Sequence, residues 1–138
     1  MRPNGVDNNP HWGHTYFMKI KIIPQVVVET PEFIRQAKIC MDDELRESFI
    51  SHIAVNPLQG ELVVGTGGIR KIRWAADAHQ GKRGGVRVLY YYHNQSIPIF
   101  LFTVYGKSKK ANLTQAERNV LKTIISKIVQ SYEEIGDE

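Results

Sequence analysis

The feature that most restricts the fold is a run of short β-rich segments in the middle of the chain: Glu61–Val64, Ile69–Trp74, Val86–His93 and Ile97–Tyr105. Valine, isoleucine and the aromatic residues favour extended backbone, and the glycine or Asn/Ser clusters between the segments turn the chain back. Short strands in such close succession predict an antiparallel meander. His93-Asn94-Gln95-Ser96 joins the last two as a hairpin, and Asp77 to Gly85 makes a longer, glycine-rich basic loop.

The flanking segments carry other patterns. Residues 1–17 are rich in Asn, Pro, Gly and His without hydrophobic periodicity, so they read as an extension, with a single domain over 18–138 and Met18 a candidate natural start. A first strand is expected at 26–29. Thr30-Pro31-Glu32 then has the form of a helix cap with proline at the first helical position, and the helix runs to about Met41. Asp42-Asp43 opens a second helix, with Leu45, Phe49, Ile50 and Ile53 on its apolar stripe, which Asn56-Pro57 ends. Thr114 and Glu117 form a capping-box pair before a last helix that reaches Ile135, with Val120, Leu121, Ile124, Ile125, Ile128 and Val129 as its stripe. The expected class is α+β: a twisted antiparallel sheet, two N-terminal helices and one C-terminal helix, with the helices on one face and a basic concave face opposite.

At 138 residues the chain suits one domain, and no run approaches the apolar length of a membrane-spanning helix. No secretory signal is recognised at the N-terminus. The lone Cys40 can form no intrachain disulfide and no multi-cysteine zinc site, which favours a reducing, cytoplasmic setting.

The charge is unevenly placed. Residues 61–110 hold nine basic and two acidic residues, a net of +7, while 1–60 hold six and seven and 111–138 hold three and five. A concentrated positive segment is the electrostatic footprint of a polyanion partner, because Lys and Arg displace the counterions of phosphates. An acidic protein, or solvent alone, can face such a segment too.

Strand alternation sets Lys71 and Arg73 on one face and Arg70 and Ile72 on the other. Antiparallel pairing of the next strand brings Arg87 to the face of Lys71 and Arg73. Lys82 and Arg83 in the long loop, and Lys107, Lys109 and Lys110 just past the last strand, add basic groups around this patch. Tyr90, Tyr91 and Tyr92 alternate between faces, with Tyr90 and Tyr92 expected in the core and Tyr91 placed to stack on a base. The Gly65-Thr66-Gly67-Gly68 run precedes a strand and lacks a Gly-Lys-Ser/Thr ending, so it reads as a turn with positive φ and not as a phosphate loop. His11 and His14 lack a scaffold and further ligands for a metal. Cys40 sits on an amphipathic helix as a core residue, His52 is a half-exposed helix residue, and His79 and His93 have no carboxylate to orient them. No cofactor and no metal site is expected.

Three stretches in order, Gly-Gly-Ile-Arg-Lys-Ile-Arg-Trp, Gly-Lys-Arg-Gly-Gly-Val-Arg-Val-Leu-Tyr-Tyr and Phe-Thr-Val-Tyr-Gly-Lys-Ser-Lys-Lys-Ala-Asn-Leu-Thr, resemble the RelE/ParE toxin superfamily over about residues 26–132, closest to its HigB-type branch. The resemblance implies the toxin of a type II toxin–antitoxin pair: a metal-independent endoribonuclease that cleaves mRNA in the A site of the 70S ribosome. It also implies a cognate antitoxin, helix-turn-helix and HigA-like, through which alone operator DNA is reached. Cleavage by the RNA's own 2′-hydroxyl needs a base, cations for the phosphorane and an acid for the 5′-oxygen. By resemblance Lys71 and Arg73 match the basic strand positions and Arg87 the phosphate-clamping arginine. A lysine among cations becomes a candidate base. Arg70, Lys82, Arg83, Tyr91, Lys107, Lys109 and Lys110 are the candidate RNA-binding residues around them. The chain departs from the family pattern where its later arginine falls near Ser108 and its stacking tyrosine near Thr114. A ParE-like gyrase inhibitor and a noncatalytic nucleic-acid-binding module are the alternatives. If 1–17 is an extension, a chain starting at Met18 keeps the melting temperature of the full chain; a drop of several degrees in thermal denaturation shows instead that Trp12, Tyr16 and Phe17 dock on the domain.

Overall fold

The computed structural model describes residues 23–75, 85–106 and 113–136. The expected N-terminal extension and most of the 77–85 loop lie outside the described residues. Strand β1 (Val27–Glu29) leads into helix α1 (Pro31–Cys40), where the Thr30 hydroxyl accepts from the Phe33 N–H and Pro31 occupies the first turn. Helix α2 (Asp43–Val55) is capped by the Asp42 carboxylate, which accepts from the Leu45 N–H. Strands β2 (Glu61–Leu62), β3 (Ile69–Trp74), β4 (Val86–Tyr91) and β5 (Ile99–Gly106) form the meander. Helix α3 (Gln115–Gly136) starts with the expected capping box: Glu117 N–H donates to the Thr114 hydroxyl, and Thr114 N–H donates to the Glu117 carboxylate.

The sheet order is β1-β5-β4-β3-β2. Here the structure corrects one expectation. The meander is antiparallel, but β1 pairs parallel with β5, with Val27 opposite Ile99, so the sheet is mixed. From β1 the chain crosses the sheet through α1 and α2 and starts the meander at the opposite edge. That crossing leaves β1 beside the last strand, running the same way.

A second correction concerns the layers. Helices α1 and α2 cover one face, where Phe33, Ala37, Phe49 and Ile53 pack on Ile72, Val88, Tyr90, Ile99 and Leu101. Helix α3 packs on the other face, through Ile125 with Leu121 and Val129, over Ile69, Leu89 and Tyr91. The cause lies in β4, where every residue except Arg87 is buried. A strand apolar on both sides must be covered on both sides. In β5 a bulge leaves Phe102 without a partner between Leu101 and Thr103, and it joins the cluster under α3.

Strand β2 is shorter than the sequence pattern suggests because Val63 and Val64 belong to the turn into β3. Gly65, Gly67 and Gly68 all have positive φ, at 79°, 79° and 127°. Thr66, fully buried, ties this turn: its hydroxyl donates to the Val63 carbonyl at 2.7 Å and accepts from the Ile69 N–H at 3.0 Å. Arg118 of α3 donates to the Val64 carbonyl, so the turn is also tied to the helix above it. Thr66→Val keeps the shape but strands a buried donor and acceptor, and chemical denaturation should show a loss of about 1–3 kcal/mol.

Candidate nucleic-acid interface

The β3–β4 register decides which cations meet. Arg73 lies directly opposite Arg87, and Lys71 lies opposite Leu89. Lys71, Arg73 and Arg87 therefore share a face, the same face that carries Ile69, Leu89 and Tyr91 further along. Helix α3 covers that apolar end. Toward Arg73 and Arg87 the face carries charge, and burying unpaired charge beneath a helix is prohibitive.

At the edge of β3, just before β2 begins, the chain opens a recess of about 260 Å³ lined by Gln59, Glu61, Lys71, Ile72, Arg73 and Arg87. Glu61 stands directly across from Lys71 on β2. Across β4, Tyr105 of β5 lies opposite Arg87. Among the described residues the salt bridges are Arg35–Glu32 and Arg46–Glu29, so none engages Lys71, Arg73 or Arg87. The Nη1 of Arg87 is buried and has no hydrogen-bond partner among the described residues. A buried guanidinium N–H without an acceptor is costly, and an anionic oxygen entering the recess would satisfy it.

The other candidate residues fall in different places. Arg70 points to the opposite face, where its Nη1 donates to the carbonyls of Leu58 at 3.2 Å and Gly60 at 2.6 Å. It thus holds the α2–β2 connection. Tyr91 is 4% exposed beneath α3, with its hydroxyl 2.8 Å from His93 Nδ1, so its ring offers no open face to a base. Lys82, Arg83, Lys107, Lys109 and Lys110 lie outside the described residues, as does His79. Cys40 packs half-buried against the core, and among the described residues no cluster of His, Cys, Asp and Glu is placed to hold a metal. No described helix is long and apolar enough to cross a membrane.

Gln59 and Glu61 line the recess and Tyr105 lies opposite Arg87, although no sequence motif marks any of the three. Glu61 and Tyr105 have period-two alternation in common with Lys71 and Arg87, but only the register identifies them as neighbours. Gln59 precedes β2 and carries no sequence signal. It is placed by a buried anchor: Tyr90, fully buried, donates its hydroxyl to the Pro57 carbonyl at 2.8 Å and accepts from the Gly60 N–H at 2.8 Å. Gly60 allows the approach, since a Cβ there would lie 2.8 Å from the tyrosine ring. Tyr90 and Arg70 thus fix the connection that lines one side of the recess.

A family model described as the RelE toxin of the RelE / RelB toxin–antitoxin system matches residues 27–135, well over half of the chain.

Desolvation by burial is the main influence on the Tyr90 phenol and raises its pKa above the ordinary 10.0, against smaller lowering effects from the Gly60 hydrogen bond and the Arg70 charge. A phenol harder to ionise in the folded state than in the unfolded one stabilises fully below the unfolded pKa, and that contribution is lost as pH rises through the folded value. Unfolding measured against pH should show this alkaline loss in the wild type and a smaller one in Tyr90→Phe. At neutral pH the same variant should be about 1–3 kcal/mol less stable, since Gly60 N–H and Pro57 O lose their partner.

Proposed function

The chain belongs to the RelE toxin family, and from that membership we propose that it is a ribosome-dependent endoribonuclease of the HigB-type branch, cutting mRNA in the A site and so arresting translation in the cytoplasm. The observation that carries this reading is the open recess in which Lys71, Arg73 and Arg87 converge, with a guanidinium N–H of Arg87 unfilled.

The chemistry follows from the groups present. The 2′-oxygen attacks phosphorus, its proton passes to a base, and the bond to the 5′-oxygen breaks as that oxygen takes up a proton from water, leaving a cyclic phosphate and a new 5′-hydroxyl. Ammonium and guanidinium groups only donate hydrogen bonds, whereas the Glu61 carboxylate accepts. Glu61, across from Lys71, takes the proton in this scheme. Lys71 is then released from the role of base to stabilise the phosphorane together with Arg73 and Arg87, the latter two gripping the phosphate oxygens. Tyr105, opposite Arg87 in the sheet, would lie beside the scissile nucleotide.

A toxin of this family has a cognate antitoxin. We place that antitoxin over the cationic face, anchored in the apolar groove of about 630 Å³ beside it, where Leu89, Phe102, Leu113, Val120, Leu121 and Ile124 line the space next to α3. Leu89 lies opposite Lys71, so the groove and the recess adjoin. An acidic segment leaving the groove would meet the cations, and complementary charge would speed association.

The test is cleavage of a defined mRNA on translating ribosomes by the purified protein, with mapped 5′ ends. Lys71→Ala, Arg73→Ala and Arg87→Ala, each verified as folded, should cut about 100–1,000-fold more slowly and relieve growth arrest. Arg87→Lys should not restore the rate, because lysine cannot grip phosphate in a bidentate manner. Wild-type cleavage by all three alanine variants rules out the recess as the site; inhibited supercoiling without cleavage moves the protein to the gyrase-inhibitor reading.

A further inference from the structure

The imidazole of His52 reaches from the last turn of α2 to Gln59. Its Nε2 forms a hydrogen bond with the side-chain oxygen of Gln59, and Gln59 lines the recess with Glu61 and the cations. The ring is itself held in place. It lies over Trp74 with centroids 4.9 Å apart, Trp74 meets Phe49 edge-on at 5.3 Å, and the His52 carbonyl accepts from the Asn56 amide at 2.9 Å. A ring nitrogen facing a carbonyl oxygen must carry hydrogen, so Nε2–H is the donor. Both the neutral Nε2–H tautomer and the imidazolium make this bond. With its oxygen committed to His52, the Gln59 amide has its NH2 group left for another acceptor.

We propose that Gln59 is a substrate-contacting residue of the recess, donating its NH2 to the attacking ribose oxygen, and that His52 is the positioning residue that orients the amide. The inference rests on the nuclease reading above and deepens it. Gln59 and Glu61 are two residues apart and line the same recess. A neutral donor suits this position, because it holds the hydroxyl by its oxygen and leaves the hydroxyl proton free for the Glu61 carboxylate. Pre-aligning the oxygen for in-line attack acts on the chemical step.

The decisive measurement is single-turnover cleavage of a defined mRNA on programmed ribosomes, with Arg87→Ala as the reference. Gln59→Ala should lower the rate constant about 5- to 10-fold, the worth of one neutral hydrogen bond. Gln59→Glu should be no faster, since a carboxylate still accepts from His52 but presents no NH2. His52→Phe keeps a ring over Trp74 without a donor and should match Gln59→Ala. His52→Gln restores an N–H close to the position of Nε2 and should recover most of the rate, which a purely structural role for the ring does not predict. In the Gln59→Ala background His52→Phe should add nothing. A wild-type rate for Gln59→Ala alongside a slow Arg87→Ala overturns this inference alone, as do fully multiplicative effects of the two substitutions. A wild-type rate for Arg87→Ala overturns the nuclease reading beneath it. Melting temperatures near the wild-type value in His52→Phe and His52→Gln tie the rate changes to the site.

Discussion

Burial of β4 on both faces is the constraint on which the rest of the architecture depends. Val86, Val88 and Tyr90 face α1 and α2, while Leu89 and Tyr91 face α3. Neither layer is dispensable, because removing either would expose a row of large apolar side chains to water. The exception in the strand is Arg87. Its charge sets the limit of the second layer, for a helix extended over Arg87, Arg73 and Lys71 would have to desolvate three cations beside the single carboxylate of Glu61. The cationic face is therefore the part of the sheet that the C-terminal helix is unable to cover.

The recess owes its other wall to a set of polar contacts of modest individual strength. Tyr90 holds Pro57 and Gly60, Arg70 holds Leu58 and Gly60, and His52 holds Gln59. Each joins the α2–β2 connection to an element already fixed by the core. Side chains on rigid elements and on a segment pinned to them can hold geometry that a free loop would lose. Tyr90 and Arg70 belong to the opposite face of the sheet from Lys71, yet they determine what stands beside it.

Much of this organisation is legible in the chain. Thr30-Pro31-Glu32, Asp42-Asp43 and Thr114 with Glu117 mark helix starts by local hydrogen bonds, which depend on neighbours in sequence and so survive in any tertiary setting. The glycines at 65, 67 and 68 announce a turn with positive φ. Alternation in Ile69–Trp74 separates Lys71 and Arg73 from Arg70, and the meander brings Arg87 to them. The parallel placement of β1 is not legible, since three residues of extended chain carry no record of their partner. The burial of Tyr91 escapes the pattern for a related reason: alternation places it on the face of the cations, but does not say that α3 lies over it.

The sequence by itself determined the local structure and the side-chain parity: where helices start, where the chain turns, and that Lys71 and Arg73 share one face of their strand. These follow from backbone chemistry within a few residues. Tertiary structure alone decided which end of that face is covered, that Glu61 stands across from Lys71 and Tyr105 across from Arg87, and that His52 reaches Gln59 beside the recess. Such neighbours come from strand register and layer packing, which are fixed by the fit of many distant apolar side chains at once. No local pattern encodes that fit.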